Sequence, residues 1–257
     1  MKIAFFDIDG TLLDFGAKEI SAAVRDALLE LQAKGVKLFI ATGRAPYLIP
    51  TLAGIDFDGV LSFNGSFCFD RAGMIFSQPM EHADMVTVIA NARQQNLPVM
   101  VATREMMAGH FHEQAIDDYM KINSKACRIT DDYDALQREE VFQLMIGADE
   151  TLDGVLLADT TAVKLARWCP DAVDVIPAHC GKALGMRKIL EHYGFDREDS
   201  IAFGDGGNDL DMLEYAGIGV AMGNAGERLK AAADYVTDTC REDGVRTALR
   251  HFGLIEG

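Results

Sequence analysis

The chain has 257 residues, of which 49% are hydrophobic and 25% charged, a composition typical of a soluble globular enzyme with one large or two modest domains. Its formal net charge of -16 argues against a nucleic-acid partner, because the phosphates would be repelled. No apolar run reaches membrane-spanning length and no signal-peptide pattern opens the chain, so we expect no membrane partner and a cytoplasmic location. The five cysteines are scattered without a CxxC pair, which favours free thiols over disulfides or a zinc site.

The first predicted element is a short buried strand over residues 3–6, followed at once by Asp7 and, two positions later, by Asp9. In an open α/β sheet, ligands bind in the crevice beyond the carboxyl ends of the strands. Two acids placed there are costly to desolvate unless a cation or a proton neutralises them. A carboxylate on a hard divalent cation can also act as a nucleophile, and a neighbouring carboxylate can move protons.

Apolar residues at helical spacing over 20–31 predict a helix, and residues 36–41 predict a second strand. This strand–helix–strand unit implies parallel pairing. The second strand ends at Thr42-Gly43-Arg44, and a third strand over 59–63 ends at Asn64-Gly65. Hairpins are expected over residues 67–76.

The middle of the chain has a different pattern, which predicts a separate α+β module. A helix is expected over 85–95, and strands over 98–102, 141–146, 163–168 and 172–176. The last two strands should pair with each other. Because residue types alternate over 172–176, one face of that strand is expected to be exposed.

From Gly181 the predicted elements again alternate between helices and strands, with a helix that begins at Lys182 and a buried strand over 200–204. That strand is closed by Asp205-Gly206-Gly207-Asn208-Asp209. Further elements are expected over 210–215, 217–222, 227–233 and 245–252. The predicted fold is therefore α/β, with a Rossmann-like parallel-sheet core of residues 1–80 and 181–257 and an inserted α+β domain of residues 81–180.

Polar groups stand at four separate strand or helix ends, and parallel strands place such ends at one edge of a sheet. These groups are Asp7 with Asp9, Thr42, Lys182, and Asp205 with Asp209. Each has a plainer interpretation alone: an Asp-Gly turn, a strand-end hydroxyl, an exposed lysine or a helix N-cap. The spacing fits neither an EF-hand nor a P-loop.

Four stretches occur in a fixed order along the chain: Asp7-Ile8-Asp9-Gly10-Thr11, Ala41-Thr42-Gly43-Arg44, Gly181-Lys182 and Gly204-Asp205-Gly206-Gly207-Asn208-Asp209. Together they resemble the four motifs of the haloacid dehalogenase (HAD) superfamily. The long insertion between the second and third motifs resembles subclass IIB, the Cof-type phosphatases. The segment before Lys182, Ala178-His179-Cys180-Gly181, differs from the commoner Ser-Lys-Gly of the family, while the lysine stays in place.

The resemblance implies a Mg²⁺-dependent phosphatase with the HAD fold and a substrate-selecting cap. Asp7 would be the nucleophile that forms an aspartyl phosphate, and Asp9 the general acid and base. The metal residues would be Asp7, Asp9, Asp205 and Asp209. Phosphoryl oxygens would be held by Thr42, Gly43, Lys182 and Asn208, of which Thr42 and Lys182 also count as catalytic. Arg44 and Asn64 are candidates for contacts with the leaving group.

The expected substrate is a small phosphomonoester, with sugar phosphates foremost and with pyridoxal phosphate and flavin mononucleotide as further possibilities within the family. Candidates for substrate contacts in the cap are Arg104, His110, His112 and the loop around residues 121–128, and no spacing rule distinguishes among them. A phosphomutase of sugar phosphates is the alternative within the superfamily. A non-catalytic module that binds a phosphorylated metabolite is the alternative from another class, and the second aspartate, Asp9, disfavours a dehalogenase.

Overall fold

The computed structural model describes residues 1–52, 54–110, 129–130 and 132–256. Its strands are β1 Ile3–Phe6, β2 Lys37–Ala41, β3 Gly59–Ser62, β4 Phe67–Asp70, β5 Gly73–Ser77, β6 Val99–Thr103, β7 Met107–Gly109, β8 Val141–Ile146, β9 Val163–Cys169, β10 Ala172–Pro177, β11 Ser200–Gly204, β12 Ile218–Ala221 and β13 Tyr235–Val236. Its α-helices are α1 Ala22–Ala33, α2 His82–Gln94, α3 Tyr133–Leu136, α4 Asp153–Leu156, α5 Lys182–Tyr193, α6 Leu210–Tyr215, α7 Glu227–Ala232 and α8 Gly244–His251. None of these described helices is long and apolar enough to cross a membrane.

The chain divides into two compact units. The first consists of Met1–Gly43, Pro50–Phe76 and Gly181–Gly257, and the second of Arg44–Ile49 and Ser77–Cys180. The short segment Arg44–Ile49 thus belongs to the second unit, and the main part of that unit begins at Ser77. The predicted division into domains at residues 80 and 180 stays a prediction.

The first unit is built on one sheet with the strand order β13-β12-β11-β1-β2-β3-β4-β5. From β13 to β3 the neighbouring strands run parallel, and β4 runs antiparallel to β3. All four residues of β1 are fully buried, which its apolar sequence and central position require. The predicted fold class, a parallel α/β core with an inserted α+β unit, is confirmed.

The register of the central strands aligns their carboxyl ends. Phe6, the last residue of β1, pairs with Phe203 of β11 on one side and with Ile40 of β2 on the other. The residues that follow these positions therefore emerge at the same edge of the sheet. This alignment brings together segments that are far apart in the sequence.

The helices of the first unit begin and end where local signals place them. Ser21 caps α1 by accepting a hydrogen bond from the Val24 amide at 3.0 Å. The buried face of α1 consists of Val24, Ala27, Leu28 and Leu31, the helical spacing that predicted it. Helix α5 begins at Lys182, and left-handed Gly194 follows its last residue.

The second unit contains a five-stranded antiparallel sheet in the order β7-β6-β8-β10-β9. Its core is formed by α2 and one face of this sheet, with Val88, Ile89, Val101 and Leu144 among the buried side chains.

The predicted exposed face of strand 172–176 is wrong. All six residues of β10 are buried, and Asp174 has only 3% of its surface exposed. The strand lies between β8 and β9 inside the sheet. The alternation of apolar and polar residues in a sequence shows only which side chains are polar. Whether a side chain is buried depends on the residues that pack against that face of the strand.

Candidate active site

Two acidic loops meet at the carboxyl ends of β1 and β11. Asp7 follows β1 directly, and its amide donates a hydrogen bond to the Phe203 carbonyl oxygen at 3.0 Å. Asp205 follows β11. Only 7% of the Asp7 surface is exposed, so its carboxylate lies in a site from which most water is excluded.

A buried ammonium group joins the first and fourth motifs. Lys182 has no exposed surface, and its Nζ lies 2.6 Å from Asp7 Oδ1 and 2.5 Å from Asp209 Oδ1. Burial alone would lower the pKa of Lys182, but the two carboxylates outweigh it and raise that pKa above its usual value. The lysine is therefore a fixed positive charge at neutral pH.

Asp209 anchors both Lys182 and its own loop. While Oδ1 accepts from Lys182, Oδ2 accepts from the backbone amides of Asp205 at 3.0 Å and Gly206 at 2.9 Å. These contacts fix the turn in which Asp205 stands. Asp209 therefore orients the two charged groups beside it.

The carboxylates form a set that fits a hard divalent cation. One oxygen from each of Asp7, Asp205 and Asp209 lies within 4.8 Å of the others. Carboxylate and carbonyl oxygens are the ligands that Mg²⁺ takes in proteins. Lys182 contacts Asp7 and Asp209, while the charges of Asp205 and Asp9 also act on Asp7, so a cation would balance negative charge that Lys182 leaves uncompensated.

The pKa values of two of these acids reflect that excess of negative charge. Burial raises the pKa of the Asp7 carboxyl well above its usual value, although Lys182 opposes the effect. Burial raises the pKa of Asp205 to about 7, and the Asp209 carboxylate contributes in the same direction. In the metal-free chain, ionisation at this site is therefore unfavourable.

The stability of the metal-free chain should consequently depend on pH. A carboxyl with a raised pKa in the folded state stabilises the fold below its unfolded pKa, and this stabilisation is lost as the pH rises through the folded value. For Asp205 the window runs from about pH 4 to about pH 7. We expect Mg²⁺ to raise the melting temperature more at pH 8 than at pH 5, measured against chelator.

The variant Asp205→Asn serves as the control for this pH dependence. Because the amide does not titrate, the fall in the melting temperature of the metal-free chain between pH 5 and pH 8 should be smaller in this variant, measured with chelator, where the loss of a metal ligand has no effect. Equal Mg²⁺-induced shifts at pH 5 and pH 8 in the unmodified chain would contradict the interpretation.

Gly10 allows the first acidic loop to approach Asp205. Its φ angle is +79°, and a Cβ atom at this position would lie 2.1 Å from Asp205 Oδ2. Only glycine combines this left-handed backbone with such close contact.

Gly10→Ala should therefore weaken Mg²⁺ binding by about 10-fold, the order seen when a group that supports a metal ligand is changed. The matched control is Gly16→Ala. Gly16 has a φ of +83°, and a Cβ atom added there would have no atom of the described residues within 4 Å. Both variants share the backbone strain of about 1–2 kcal/mol. Calorimetric Mg²⁺ titration separates them, and an equal loss of affinity in both would refute the steric explanation.

The second motif and the Asn64 loop pack together beside these acids. Thr42 is buried, its amide donates to the Leu61 carbonyl, and its own carbonyl accepts from the Asn64 amide at 3.1 Å. Asn64 adopts a left-handed conformation with φ 52°. Its side-chain Oδ1 accepts a hydrogen bond from Asn208 Nδ2 at 2.9 Å. A Cβ on Gly43 would lie 3.0 Å from the side-chain Nδ2 of Asn64, so these segments are in tight contact.

Asn64 is thus placed to orient Asn208, the residue predicted to hold a phosphoryl oxygen. The predicted contact of Asn64 with a leaving group stays a prediction.

Arg44 belongs to the second unit, where its Nη1 donates to the Leu48 carbonyl oxygen at 3.0 Å.

Two of the residues predicted to contact substrate in the cap have described neighbours in the second unit. Arg104 lies 3.7 Å from Glu140 in an exposed ion pair, and the His110 ring lies 5.4 Å from that of Tyr133. His112 and the loop 121–128 lie outside the described residues. The assignment of these residues to substrate binding stays a prediction.

Asn224 contacts both acidic loops, and the sequence motifs give it no role. It stands three residues after β12, at the edge where the other polar groups converge. Its Nδ2 donates to the Gly10 carbonyl oxygen at 2.9 Å and to Asp205 Oδ2 at 3.0 Å. The rule that polar residues after parallel strands converge at one edge could have identified it.

Comparison with known proteins agrees with this architecture. A family model for haloacid dehalogenase-like hydrolases matches residues 4–249. The chain belongs to this family. The predicted resemblance to the HAD superfamily is confirmed, and the chain is an enzyme of the hydrolase class.

Several HAD relatives extend over nearly the whole chain. The Bacillus subtilis (strain 168) protein named "Putative phosphatase YkrA" is 34% identical, covering 99% of each chain. The 5-amino-6-(5-phospho-D-ribitylamino)uracil phosphatase YcsE of the same organism is 31% identical over 99% of this chain and 96% of that protein. The solved structure of the HAD subclass IIB sugar phosphatase BT4131 is 32% identical, with a TM-score of 0.92, and covers 99% of this chain and 100% of that one. The predicted subclass IIB is thereby confirmed.

HAD phosphatases generally use a metal, and the cluster of Asp7, Asp205 and Asp209 is compatible with one. Membership also implies a small-molecule phosphate as substrate. The site described above combines carboxylate oxygens with a buried ammonium group, and positioning and charge stabilisation are what phosphoryl transfer requires.

Proposed function

We propose that this HAD enzyme is a Mg²⁺-dependent phosphatase that hydrolyses small phosphomonoesters, sugar phosphates foremost, through an aspartyl phosphate on Asp7. The observation that carries the proposal is the fully buried Lys182 ammonium held between Asp7 and Asp209. Phosphoryl transfer depends on positioning and on stabilisation of negative charge more than on elaborate covalent chemistry. A fixed positive charge beside a carboxylate meets both requirements.

In the first step a carboxylate oxygen of Asp7 attacks phosphorus. The bond from phosphorus to the ester oxygen breaks, and Asp9 gives its proton to that oxygen as the alcohol leaves. Asp7 is fixed for this attack by its backbone bond to Phe203 and by Lys182. Asp9 is half-buried and follows Asp7 by two residues in the same loop.

In the second step Asp9, now ionised, removes a proton from water. The water oxygen attacks phosphorus, the bond between phosphorus and Asp7 breaks, and inorganic phosphate is released with the Asp7 carboxylate restored. Lys182, Thr42, the Gly43 amide and Asn208 would hold the phosphoryl oxygens. Asn64 holds the Asn208 side chain in place through their 2.9 Å hydrogen bond.

Mg²⁺ would be held by the carboxylates of Asp7 and Asp205 and the backbone carbonyl of Asp9, with Asp209 orienting the set. When bound, it supplies positive charge against the phosphoryl oxygens and the attacking carboxylate. A lysine and a divalent cation together would create a local positive field in a chain of net charge -16.

The preference for sugar phosphates is supported by similarity to the sugar phosphatase BT4131 over 99% of this chain. YcsE, at 31% identity, is named for a phosphate on a ribityl chain, so polyhydroxylated phosphomonoesters form the wider class. The substrate panel should therefore include hexose and pentose phosphates, a ribityl phosphate such as flavin mononucleotide, and pyridoxal phosphate as an aromatic comparison.

Phosphate release from this panel, measured with Mg²⁺ and with chelator, tests the proposal. Metal-dependent release that is fastest with a sugar phosphate would support it. Transfer of the phosphoryl group between sugar positions without release would support the phosphomutase instead. Binding of a phosphoester without any turnover across the panel would support a binding module.

A further inference from the structure

The side chain of Asn224 uses all of its polar atoms to join three segments. Its Nδ2 carries two hydrogens, which reach the Gly10 carbonyl oxygen at 2.9 Å and Asp205 Oδ2 at 3.0 Å. Its Oδ1 accepts from the Cys240 amide at 2.9 Å. The asparagine therefore connects the first acidic loop, the fourth motif and the turn at Cys240–Glu242.

These contacts differ in what they do for the site. The bond from Cys240 fixes the orientation of the Asn224 amide, so that its nitrogen faces the two acidic loops. The bond to Asp205 is a charge-assisted one, the stronger class of hydrogen bond. The bond to Gly10 holds the loop that carries Asp7 and Asp9 against Asp205.

We propose that Asn224 is a positioning residue for the divalent cation, because it fixes the Asp205 carboxylate relative to the first acidic loop. The inference rests on the proposed function only in taking Asp205 and the Asp7–Asp9 loop as the metal-binding elements. Mutation of partner groups that orient metal ligands typically lowers metal affinity by about 10–100-fold.

An amide suits this role better than a charged side chain. It donates to Asp205 without adding a negative charge to a cluster that already contains four carboxylates. It also leaves Asp205 Oδ1 outside the hydrogen bond, since Oδ2 is the atom that Asn224 contacts. The nearby ion pair between Arg241 and Asp14, at 2.7 Å, is largely exposed and gives the turn a separate attachment.

The test is calorimetric titration of the full chain with Mg²⁺. Asn224→Ala should raise the Mg²⁺ dissociation constant by about 10-fold. The turnover number at saturating Mg²⁺ should stay within about 3-fold of the unmodified chain, because the asparagine contacts a ligand and no reacting atom. Asn224→Leu, which keeps the side-chain volume but lacks both N–H groups, should give the same loss and covers the case in which the alanine variant fails to fold.

Asn91→Ala is the matched control. Like Asn224, Asn91 donates two side-chain hydrogen bonds, in this case to the backbone carbonyls of Leu156 and Ala158, but it lies in the second unit. The substitution Asn91→Ala should lower the melting temperature and leave the Mg²⁺ dissociation constant unchanged.

An unchanged dissociation constant in both Asn224 variants would overturn the inference, as would an equal increase in Asn91→Ala. A chain that binds no Mg²⁺ would overturn it as well. If the chain binds Mg²⁺ but releases no phosphate from any ester, the proposed function fails, and the comparison of dissociation constants still decides the role of Asn224.

Discussion

Replacement of Lys182 by methionine is expected to destabilise the metal-free chain by about 3–5 kcal/mol and to abolish turnover. The lysine is fully buried between Asp7 and Asp209. Removing one partner of a buried ionic group leaves the remaining charges buried and uncompensated. The loss of stability then reflects the cost of keeping those charges out of water as well as the lost contacts. Chemical denaturation in the presence of chelator measures the change in the free energy of unfolding.

A second substitution separates the structural effect of Lys182 from its chemical one. In the double variant Lys182→Met with Asp209→Asn, one of the two orphaned carboxylates is neutralised, so part of the lost stability should return. Turnover should not return, because the positive charge beside the phosphoryl group is still missing. Recovery of turnover together with stability would show that Lys182 acts only as a structural residue.

Asp7→Asn should lower the turnover number by at least about 10⁴-fold, the order seen when an enzyme loses its nucleophile. An amide oxygen is a poor nucleophile toward phosphorus, while its shape preserves the packing around β1. Phosphate release from the best substrate of the panel, at saturating Mg²⁺, gives the measurement.

The control is Asp58→Asn, which alters another Asp–Lys pair of the same sheet. Asp58 lies 3.3 Å from Lys37, and its other oxygen accepts from the Leu38 amide. Its replacement should reduce stability by about 1 kcal/mol and leave turnover unchanged. Substantial activity in Asp7→Asn, with clean Mg²⁺, would rule out Asp7 as the nucleophile.

The edge of the sheet could be predicted from the sequence because its determinants are local. Strands β1, β2 and β11 are short and largely apolar, and a polar residue follows each of them. Parallel pairing then places Asp7, Thr42 and Asp205 at a common edge without any knowledge of side-chain contacts. The confirmed fold class follows from that reasoning.

The contacts within the site could not be predicted in the same way. That Asp209 accepts from both Lys182 and its own loop depends on a tertiary arrangement that no spacing rule describes. The hydrogen bond between Asn64 and Asn208 could not be predicted either, because an Asn-Gly pair after a strand usually indicates a turn.

The wrong prediction for β10 has a related cause. Its Val-Asp-Val alternation resembles a strand with one wet face, yet Asp174 is buried with its neighbours. Strand β13 escapes prediction because two residues are too short for any periodic signal. Both errors concern positions where tertiary packing decides burial or pairing.

An aspartyl phosphate on Asp7 can be tested most directly by trapping the phosphoryl group on the enzyme. In Asp9→Asn the second step should stop, because no base activates the water. With p-nitrophenyl phosphate, whose leaving group needs no proton, the first step should still proceed. We expect a stoichiometric burst of nitrophenolate and, by mass spectrometry, a phosphoryl group on Asp7. A variant that shows no burst, or one that carries the phosphoryl group on another residue, would contradict it.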